Sequence, residues 1–288
     1  MTPSILILGG TGKVGSRLAR QLSASQQPIL VASRRGTGNG HGVPVAFDWH
    51  NRETWEKPFA TAASPIGAVY LIAPPSLDAD KIMNEFIDFA RERGVRRFVL
   101  QSASSIEPGG PAMGKVHSYL IELGQRGEVD WAVLRPTWFQ ENFADQPNHY
   151  RSIKEEGKVY SATGDGKIPW VSSDDIAAVA ARALTSPEPP NTEYLVLGPE
   201  LLSYGEIADI LTDVLGKKIV HVDLSAEGLE ERHQSFGMAA EYAKMMSAMD
   251  TAIKFGAENR TNDVVLAVTG DRPKTFREFA ESAKETWL

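Results

Sequence analysis

The chain has 288 residues, 42% of them hydrophobic and 23% charged, with a net charge of −7, six histidines and no cysteine. These are the proportions of a globular enzyme; the missing cysteines exclude disulfides, thiolate metal sites and cysteine nucleophiles, and the acidic balance argues against nucleic acid as a partner. The apolar runs are strand-length, so no membrane span is expected; the histidines show no paired ligand spacing, so no metal is expected; and the opening residues show no leader, so the expected compartment is cytoplasmic.

Ile5-Leu6-Ile7-Leu8 reads as a buried parallel strand, and glycines at 9, 12 and 15 then open a helix with Val14, Leu18 and Leu22 on one face. In a dinucleotide site the first glycine permits a tight turn. The second lets backbone approach the pyrophosphate, and the third lets helix and sheet pack closely. The diphosphate would lie on the helix N-terminus, where free N–H groups and the dipole favour anions. Gly9, Thr11, Gly12, Lys13 and Val14 are therefore cofactor-binding candidates; a purely structural glycine turn is the alternative.

The second strand, Pro28 to Ser33, ends in Ser33-Arg34-Arg35. An NAD site usually carries Asp or Glu there for the ribose 2′-OH, whereas arginine accommodates a 2′-phosphate. The missing acid favours NADPH/NADP+ over NADH, with a solvated arginine pair as the alternative. Phe47-Asp48-Trp49 follows a further short strand, which makes Asp48 and Trp49 candidates beside the adenine or else a turn with a buried Trp. Ala68 to Ile72 is the next strand; Ala73 and Pro74 after it would pass the riboses. A helix with Ile82, Phe86, Phe89 and Ala90 on one face ends at Gly94. Arg97 to Gln101 is a strand whose exit, Ser102-Ala103-Ser104, would reach the nicotinamide end or cap a helix. A helical stretch over 115–124 brings in Lys115. Trp131 to Arg135 is a strand stopped by Pro136, and Pro136 and Thr137 complete the cofactor candidates.

Such alternation predicts an α/β fold: a Rossmann-type doubly wound parallel sheet, with a smaller, mainly helical C-terminal substrate-binding region. The expected division is a cofactor domain over 1–150, its core completed by later segments, and a substrate region over 151–288. Beyond 145, Ile176, Val179, Ala180, Ala183 and Leu184 make a helix face with Asp174 and Asp175 at its positive end. Glu193 to Leu197 reads as a strand. Ser203 with Glu206, and Thr275 with Glu278, are capping boxes. The stretch 226–256 reads as helical, and its Met238, Met245, Met246 and Met249 as plastic core or the wall of an adaptable pocket.

A typical short-chain dehydrogenase carries a Tyr-x-x-x-Lys pair on the helix after its serine-bearing strand: the tyrosine donates a proton and the lysine lowers its pKa. That spacing occurs at Tyr150 and Lys154, but one strand too late. At the expected place stand Lys115, His117 and Tyr119, read as helix surface or pocket wall. No catalytic acid is assigned.

Leu134-Arg135-Pro136-Thr137-Trp138-Phe139-Gln140-Glu141-Asn142 resembles the Arg-Pro-x-x-Phe-x-Glu-Asn signature of NmrA-like atypical short-chain dehydrogenases, as do the Gly-Gly-Thr-Gly opening and Gln101-Ser102-Ala103-Ser104. Tyr160-Ser161-Ala162-Thr163-Gly164-Asp165-Gly166-Lys167-Ile168-Pro169 and Leu197-Gly198-Pro199-Glu200-Leu201-Leu202-Ser203-Tyr204 are similar to the festuclavine and agroclavine dehydrogenases of fungal ergot-alkaloid pathways. The resemblance implies NADPH-dependent reduction of a cyclic iminium on a small-molecule indole alkaloid. Such an electrophile arrives already charged, so a proton donor is dispensable. The protein must orient it and tolerate its charge; Trp138, Phe139, Tyr160, Asp165 and Trp170 are the substrate-orienting candidates. Two alternatives stand beside this: an NADP(H)-binding cyclase or isomerase without net redox, and a dinucleotide-sensing regulator. A homodimer is compatible with all three.

Overall fold

The computed structural model describes residues 2–76 and 78–288. In chain order the strands are β1 (Ser4–Ile7), β2 (Ile29–Ser33), β3 (Val43–Ala46), β4 (Ile66–Ile72), β5 (Arg97–Gln101), β6 (Asp130–Pro136), β7 (Lys158–Ser161), β8 (Thr192–Val196) and β9 (Val220–Asp223). The helices are α1 (Lys13–Ala24), α2 (Lys57–Thr61), α3 (Ala79–Arg91), α4 (Met113–Gln125), α5 (Asn142–Asp145), α6 (Pro147–Arg151), α7 (Ser173–Thr185), α8 (Tyr204–Leu215), α9 (Ala226–Ser235), α10 (Ala240–Lys254), α11 (Val264–Thr269) and α12 (Phe276–Ala283).

The chain divides into two compact units. The first holds the residues up to Pro136, Ser173–Val196 and Ala267–Gly270; the second holds Thr137–Ser172, Leu197–Leu266 and Asp271–Leu288. The boundary expected at 150/151 therefore falls at 136/137. The reason is packing: Phe143, Tyr150 and Ile153 join a hydrophobic cluster with Trp170, Tyr204 and Phe276, all of the second unit.

The first unit is a Rossmann-type α/β layer structure. Its seven strands are all parallel, in the order β3-β2-β1-β4-β5-β6-β8. The strands are short runs of aliphatic residues, as burial on both faces requires. Leu6, Leu30, Val69, Leu100 and Val133 share one cluster with Met83, Phe86 and Ile87 of α3 and Val116, Leu120 and Leu123 of α4. Their neighbours Ile5, Ile7, Val31, Val99 and Leu134 are equally buried. α1 and α7 pack on each other, and α7 also touches β4, β5 and β6. After β1 the chain builds β2 and β3 on one side and then crosses to β4 on the other. This reversal opens a crevice at the carboxyl ends of β1 and β4.

The second unit is mainly helical, with one element not identified from the sequence: a two-stranded parallel pairing of β7 with β9, Lys158 opposite Val220 and Ser161 opposite Asp223. Its core is aromatic. Phe143 is fully buried and meets Trp170, Tyr204 and Phe276 with ring centroids 5.0, 5.7 and 5.2 Å away. Both capping boxes form, Ser203 with Glu206 at α8 and Thr275 with Glu278 at α12. The methionines of 238–249 are not core: α10 turns Ala243, Ser247, Asp250 and Ile253 inward, and Met245 is 38% exposed.

Candidate functional site

The turn after β1 is shaped by close backbone approaches. Gly9 has φ +62°, the left-handed region that glycine enters without strain. A Cβ on Gly15 would stand 2.3 Å from the carbonyl oxygen of Gly9, so only glycine lets α1 start there. Gly10 donates its N–H to Ala32 O at 2.9 Å, which ties the turn to β2. α1 has no side-chain cap and no acidic residue in its first turn. Its first N–H groups and positive dipole end are thus left to an anion. Thr11 and Gly12 are exposed at this end, and Lys13 and Val14 begin the helix.

At the end of β2 the chain turns back through Gly36 N to Ser33 O, and the Ser33 hydroxyl donates to Thr37 O at 2.8 Å. Arg34 and Arg35 project from this turn and are exposed; among the described residues neither guanidinium has a hydrogen-bond or ion-pair partner. A residue the sequence reading missed completes the turn. Asn39 donates from Nδ2 to Gly10 O at 2.8 Å, and its Oδ1 accepts from His41 N. It fastens the arginine loop to the glycine turn. The only sequence sign was a run of glycines around it, Gly36-Thr37-Gly38-Asn39-Gly40.

Asp48 and Trp49 follow β3 as expected. Asp48 accepts from His50 N, and Trp49 is buried against Phe86 with its indole N–H on Ile72 O at 3.2 Å. Ala73 and Pro74 leave β4, and Ser102 and Ala103 leave β5. The Ser102 hydroxyl is buried without a hydrogen-bond partner among the described residues. Lys115 sits in the first turn of α4, its Nζ 3.4 Å from Asp80 Oδ2 on α3. Pro136 ends β6. The first unit thus gathers Gly9, Thr11, Gly12, Lys13, Val14, Ser33, Arg34, Arg35, Asp48, Trp49, Ala73, Pro74, Ser102, Ala103, Lys115 and Pro136 at or just beyond the carboxyl ends of its strands. Thr137 belongs to the second unit and donates its hydroxyl to Glu258 at 3.3 Å, a buried carboxylate with no sign in the sequence reading.

Several polar groups near this edge are already committed. Arg135 is buried, and its guanidinium donates to Glu107, to both oxygens of Glu193 at 3.0 Å, and to Ser104 O at 2.9 Å. It braces the β5 exit and β8 against β6. His117 is fully buried 3.7 Å from Glu193, and burial lowers its pKa, so it is a neutral core histidine rather than an ion-pair partner. Tyr119 donates to Asp88 at 2.6 Å; burial and that bond push its phenol up to about 12. Tyr70 is buried and donates to Gln101.

In the second unit the substrate candidates divide. Trp138 and Phe139 are half-buried beside Val171, whose N–H donates to Trp138 O and whose carbonyl accepts from Gln140 N. Trp138 stands 6.5 Å from Trp170. Trp170 is 2% exposed in the aromatic core and donates its indole N–H to Leu202 O, which makes it a packing residue. Tyr160 lies on β7 rather than in a loop. Its hydroxyl donates to Glu156, and Arg232 covers one ring face at 3.6 Å, so that face is closed to a cationic ligand. Asp165 is exposed in a turn that Gly166 N closes onto Thr163 O. Tyr150 and Lys154 also fall in this unit, and the Tyr150 hydroxyl accepts from Arg151 beside it.

The cradle fits a dinucleotide: an uncapped helix start, a glycine contact that a Cβ would fill, and two unpaired guanidinium groups. Comparison with known proteins agrees. Residues 9–187 match the NAD(P)H-binding family. The chain is 46% identical over 289 residues to festuclavine synthase II of Penicillium roqueforti, covering 99% of both chains. It is 42% identical to agroclavine dehydrogenase of Claviceps fusiformis, again over 99% of both. Among solved structures, the Citrobacter triphenylmethane reductase complexed with NADP(H) shares the fold at TM-score 0.77 and 23% identity, with 97% of this chain and 99% of that one covered. The Escherichia coli quinone oxidoreductase QOR2 with NADPH does so at 0.77 and 22%, with 99% and 100% covered. No helix among the described residues is long and apolar enough to cross a membrane. The chain belongs to the NAD(P)H-binding, NmrA-like atypical short-chain dehydrogenase/reductases, an oxidoreductase family that here includes the festuclavine and agroclavine dehydrogenases.

Proposed function

We propose that this protein is an NADPH-dependent reductase of a cyclic iminium on an indole alkaloid of the clavine type. The observation that carries the reading is the commitment of the tyrosine on α4. The Tyr119 hydroxyl donates a hydrogen bond to Asp88 at 2.6 Å, and burial and that bond together raise its pKa to about 12, so the proton stays on the phenol. A carbonyl substrate calls for a proton donor such as the tyrosine of the typical pair, because hydride addition leaves an alkoxide. An iminium does not. When NADPH is bound it supplies a hydride to the iminium carbon, and the C=N π pair becomes the nitrogen lone pair.

The chain's own tasks are then binding and orientation. The α1 start takes the pyrophosphate on the N–H groups of its first turn, and Arg34 and Arg35 take the 2′-phosphate. Trp138 and Phe139 offer half-buried aromatic surface to a flat, cationic substrate. Holding the two reactants in a near-attack geometry is the main catalytic contribution left to the protein. The relatives named for festuclavine and agroclavine, similar over 99% of the chain, support this substrate class.

The test is turnover with a panel of cyclic iminium salts, read by loss of reduced-nicotinamide absorbance and by product mass. Cofactor oxidation with a protonated product two mass units above the iminium ion, one hydride plus the proton that the amine picks up, supports the reading. A product of unchanged mass with the cofactor intact would replace it by cyclisation or isomerisation. Tight dinucleotide binding with no conversion of any iminium would replace it by sensing.

A further inference from the structure

In the first unit the facing sides of α3 and α4 carry a polar seam that the cofactor reading leaves unexplained. Asp80, Asn84 and Asp88 stand at successive four-residue steps on α3, so they share one face. Lys115 and Tyr119 stand one such step apart on α4. The outer rung is complete: Tyr119 donates to Asp88, which also takes Arg91 at 2.6 Å. The inner rung is not. Asp80 is 8% exposed, and one of its oxygens, Oδ1, is buried with no hydrogen-bond partner among the described residues. Asn84 Oδ1 is likewise buried and bare. The other Asp80 oxygen faces Lys115 Nζ at 3.4 Å, a long contact for a charge-assisted bond. The two partners differ in access: the Asp80 side chain is 11% exposed and that of Lys115 is 53% exposed.

Bare acceptors in a buried seam are costly unless a donor reaches them. The pairing of a hidden carboxylate with a half-open ammonium has a direction: the carboxylate holds and the ammonium reaches. The place fits a ligand on the second mononucleotide half. α3 follows the exit of β4 and α4 follows the exit of β5, on the side of the switch point away from β2 and β3. Arg34 and Arg35 lie on the other side, at the adenosine half.

We propose that Asp80 is a positioning residue that holds the Lys115 ammonium for the ribose hydroxyls on the nicotinamide half of the cofactor. The inference rests on NAD(P)H binding at the carboxyl edge and not on the identity of the substrate. It differs from a plain helix–helix brace in a measurable way. A brace changes the melting of the protein alone, whereas a positioning residue changes affinity for one half of the ligand and does so through Lys115.

The experiment is a double-mutant cycle with Asp80→Asn, Lys115→Met and the pair together. Dissociation constants are measured for NADPH and for the adenosine bisphosphate fragment that carries the 2′-phosphate but no nicotinamide ribose. Each single variant is expected to weaken NADPH by roughly 3- to 10-fold. The double variant should be no weaker than Lys115→Met, and Asp80→Glu should recover most of the loss. The fragment should bind all four proteins alike, which also reports that they are folded. Losses that multiply in the double variant would overturn the proposal. So would unchanged NADPH affinity in Asp80→Asn, or an equal loss for NADPH and fragment in Lys115→Met, a variant of an exposed side chain that leaves the core intact. An iminium panel that fails to turn over would remove the substrate reading and leave this one standing.

Discussion

Replacing Arg34 and Arg35 by alanine should turn a cofactor preference into indifference. Neither guanidinium is tied down within the protein, so neither loss disturbs packing or breaks an ion pair. Their loop is fixed independently: Ser33 holds Thr37 O and Asn39 holds Gly10 O, each at 2.8 Å. The double variant should therefore keep its fold and its glycine turn. What it loses is one or two charge-assisted bonds to the 2′-phosphate, so NADPH affinity should fall about 10- to 100-fold while NADH affinity stays within about twofold. Because both arginines are exposed, the NADPH advantage of the unmodified protein should also shrink with added salt, and the variant should lose that salt dependence. Asn39→Ala gives the internal contrast. It frees the carbonyl of Gly10 in the turn that serves the pyrophosphate, so it should weaken NADPH and NADH by the same factor, roughly 3- to 10-fold. Titration of both cofactors into the three proteins by calorimetry checks this. Equal losses of NADPH and NADH in the double arginine variant would refute the assignment of the 2′-phosphate to this turn.

Three further outcomes follow from particular contacts. Gly15→Ala puts a methyl group 2.3 Å from Gly9 O, so the turn must open; stability should fall by about 1–3 kcal/mol and dinucleotide binding should be lost, measured by denaturant melts and titration. Asp250 is buried on α10 and accepts Ala162 N at 3.0 Å; burial raises its carboxyl to about 6 from 3.8, with Asp223 adding to the rise. A folded-state pKa raised in this way contributes stability below the unfolded value, and that contribution is lost as pH climbs through about 6. Asp250→Asn keeps an acceptor and removes the charge, so it should melt with the parent protein below about pH 4 and gain up to about 3 kcal/mol above about pH 7. A variant less stable than its parent at neutral pH would show that the carboxylate is held by more than Ala162. Tyr150→Phe should leave kcat far above the roughly 100-fold loss expected on removing a general acid, because its hydroxyl meets only the adjacent Arg151.

Much of the first unit was legible because strand burial on two faces writes itself as aliphatic runs. β5 falls on Arg97–Gln101, the bounds read from the sequence, and the residues expected on the α7 face are all buried. Capping boxes mark α8 and α12 because their hydrogen bonds are local. Features set by distant partners were not legible. β7 and β9 are four-residue strands with mixed burial that pair only with each other, some 60 residues apart. The methionines of α10 look like core by composition, but the inward face uses alanine, serine and aspartate: Ser247 donates to Ala226 O of α9, and Asp250 accepts from Ala162 N. Asn39, Asp80 and Glu258 are polar residues whose meaning depends on the group opposite them, and no spacing rule exposes that.

Outside the Gly-Gly-Thr-Gly opening, many residues of the motifs that carry the family resemblance are engaged within the chain itself. Arg135 of the Arg-Pro signature is saturated by Glu107, Glu193 and Ser104 O. Gln140 donates to Trp170 O and Lys274 O. In the second unit Ala162 N binds Asp250 and Gly164 N binds Asp223, while Gly166 lies where a Cβ would meet Ile253 O at 2.4 Å. Gly198 lies where one would meet Trp170 O at 1.8 Å. Residues so engaged cannot also orient a substrate, and substituting them would test folding rather than chemistry. Selectivity must then reside in groups that packing leaves uncommitted. On the proposed reading these are Arg34, Arg35 and Lys115 for the cofactor and the half-buried rings of Trp138 and Phe139 for the substrate. Such an arrangement suits the proposed reaction, whose electrophile is already activated, because the tyrosine on α4 is bonded to Asp88 and the aromatic and guanidinium groups left over bind and orient.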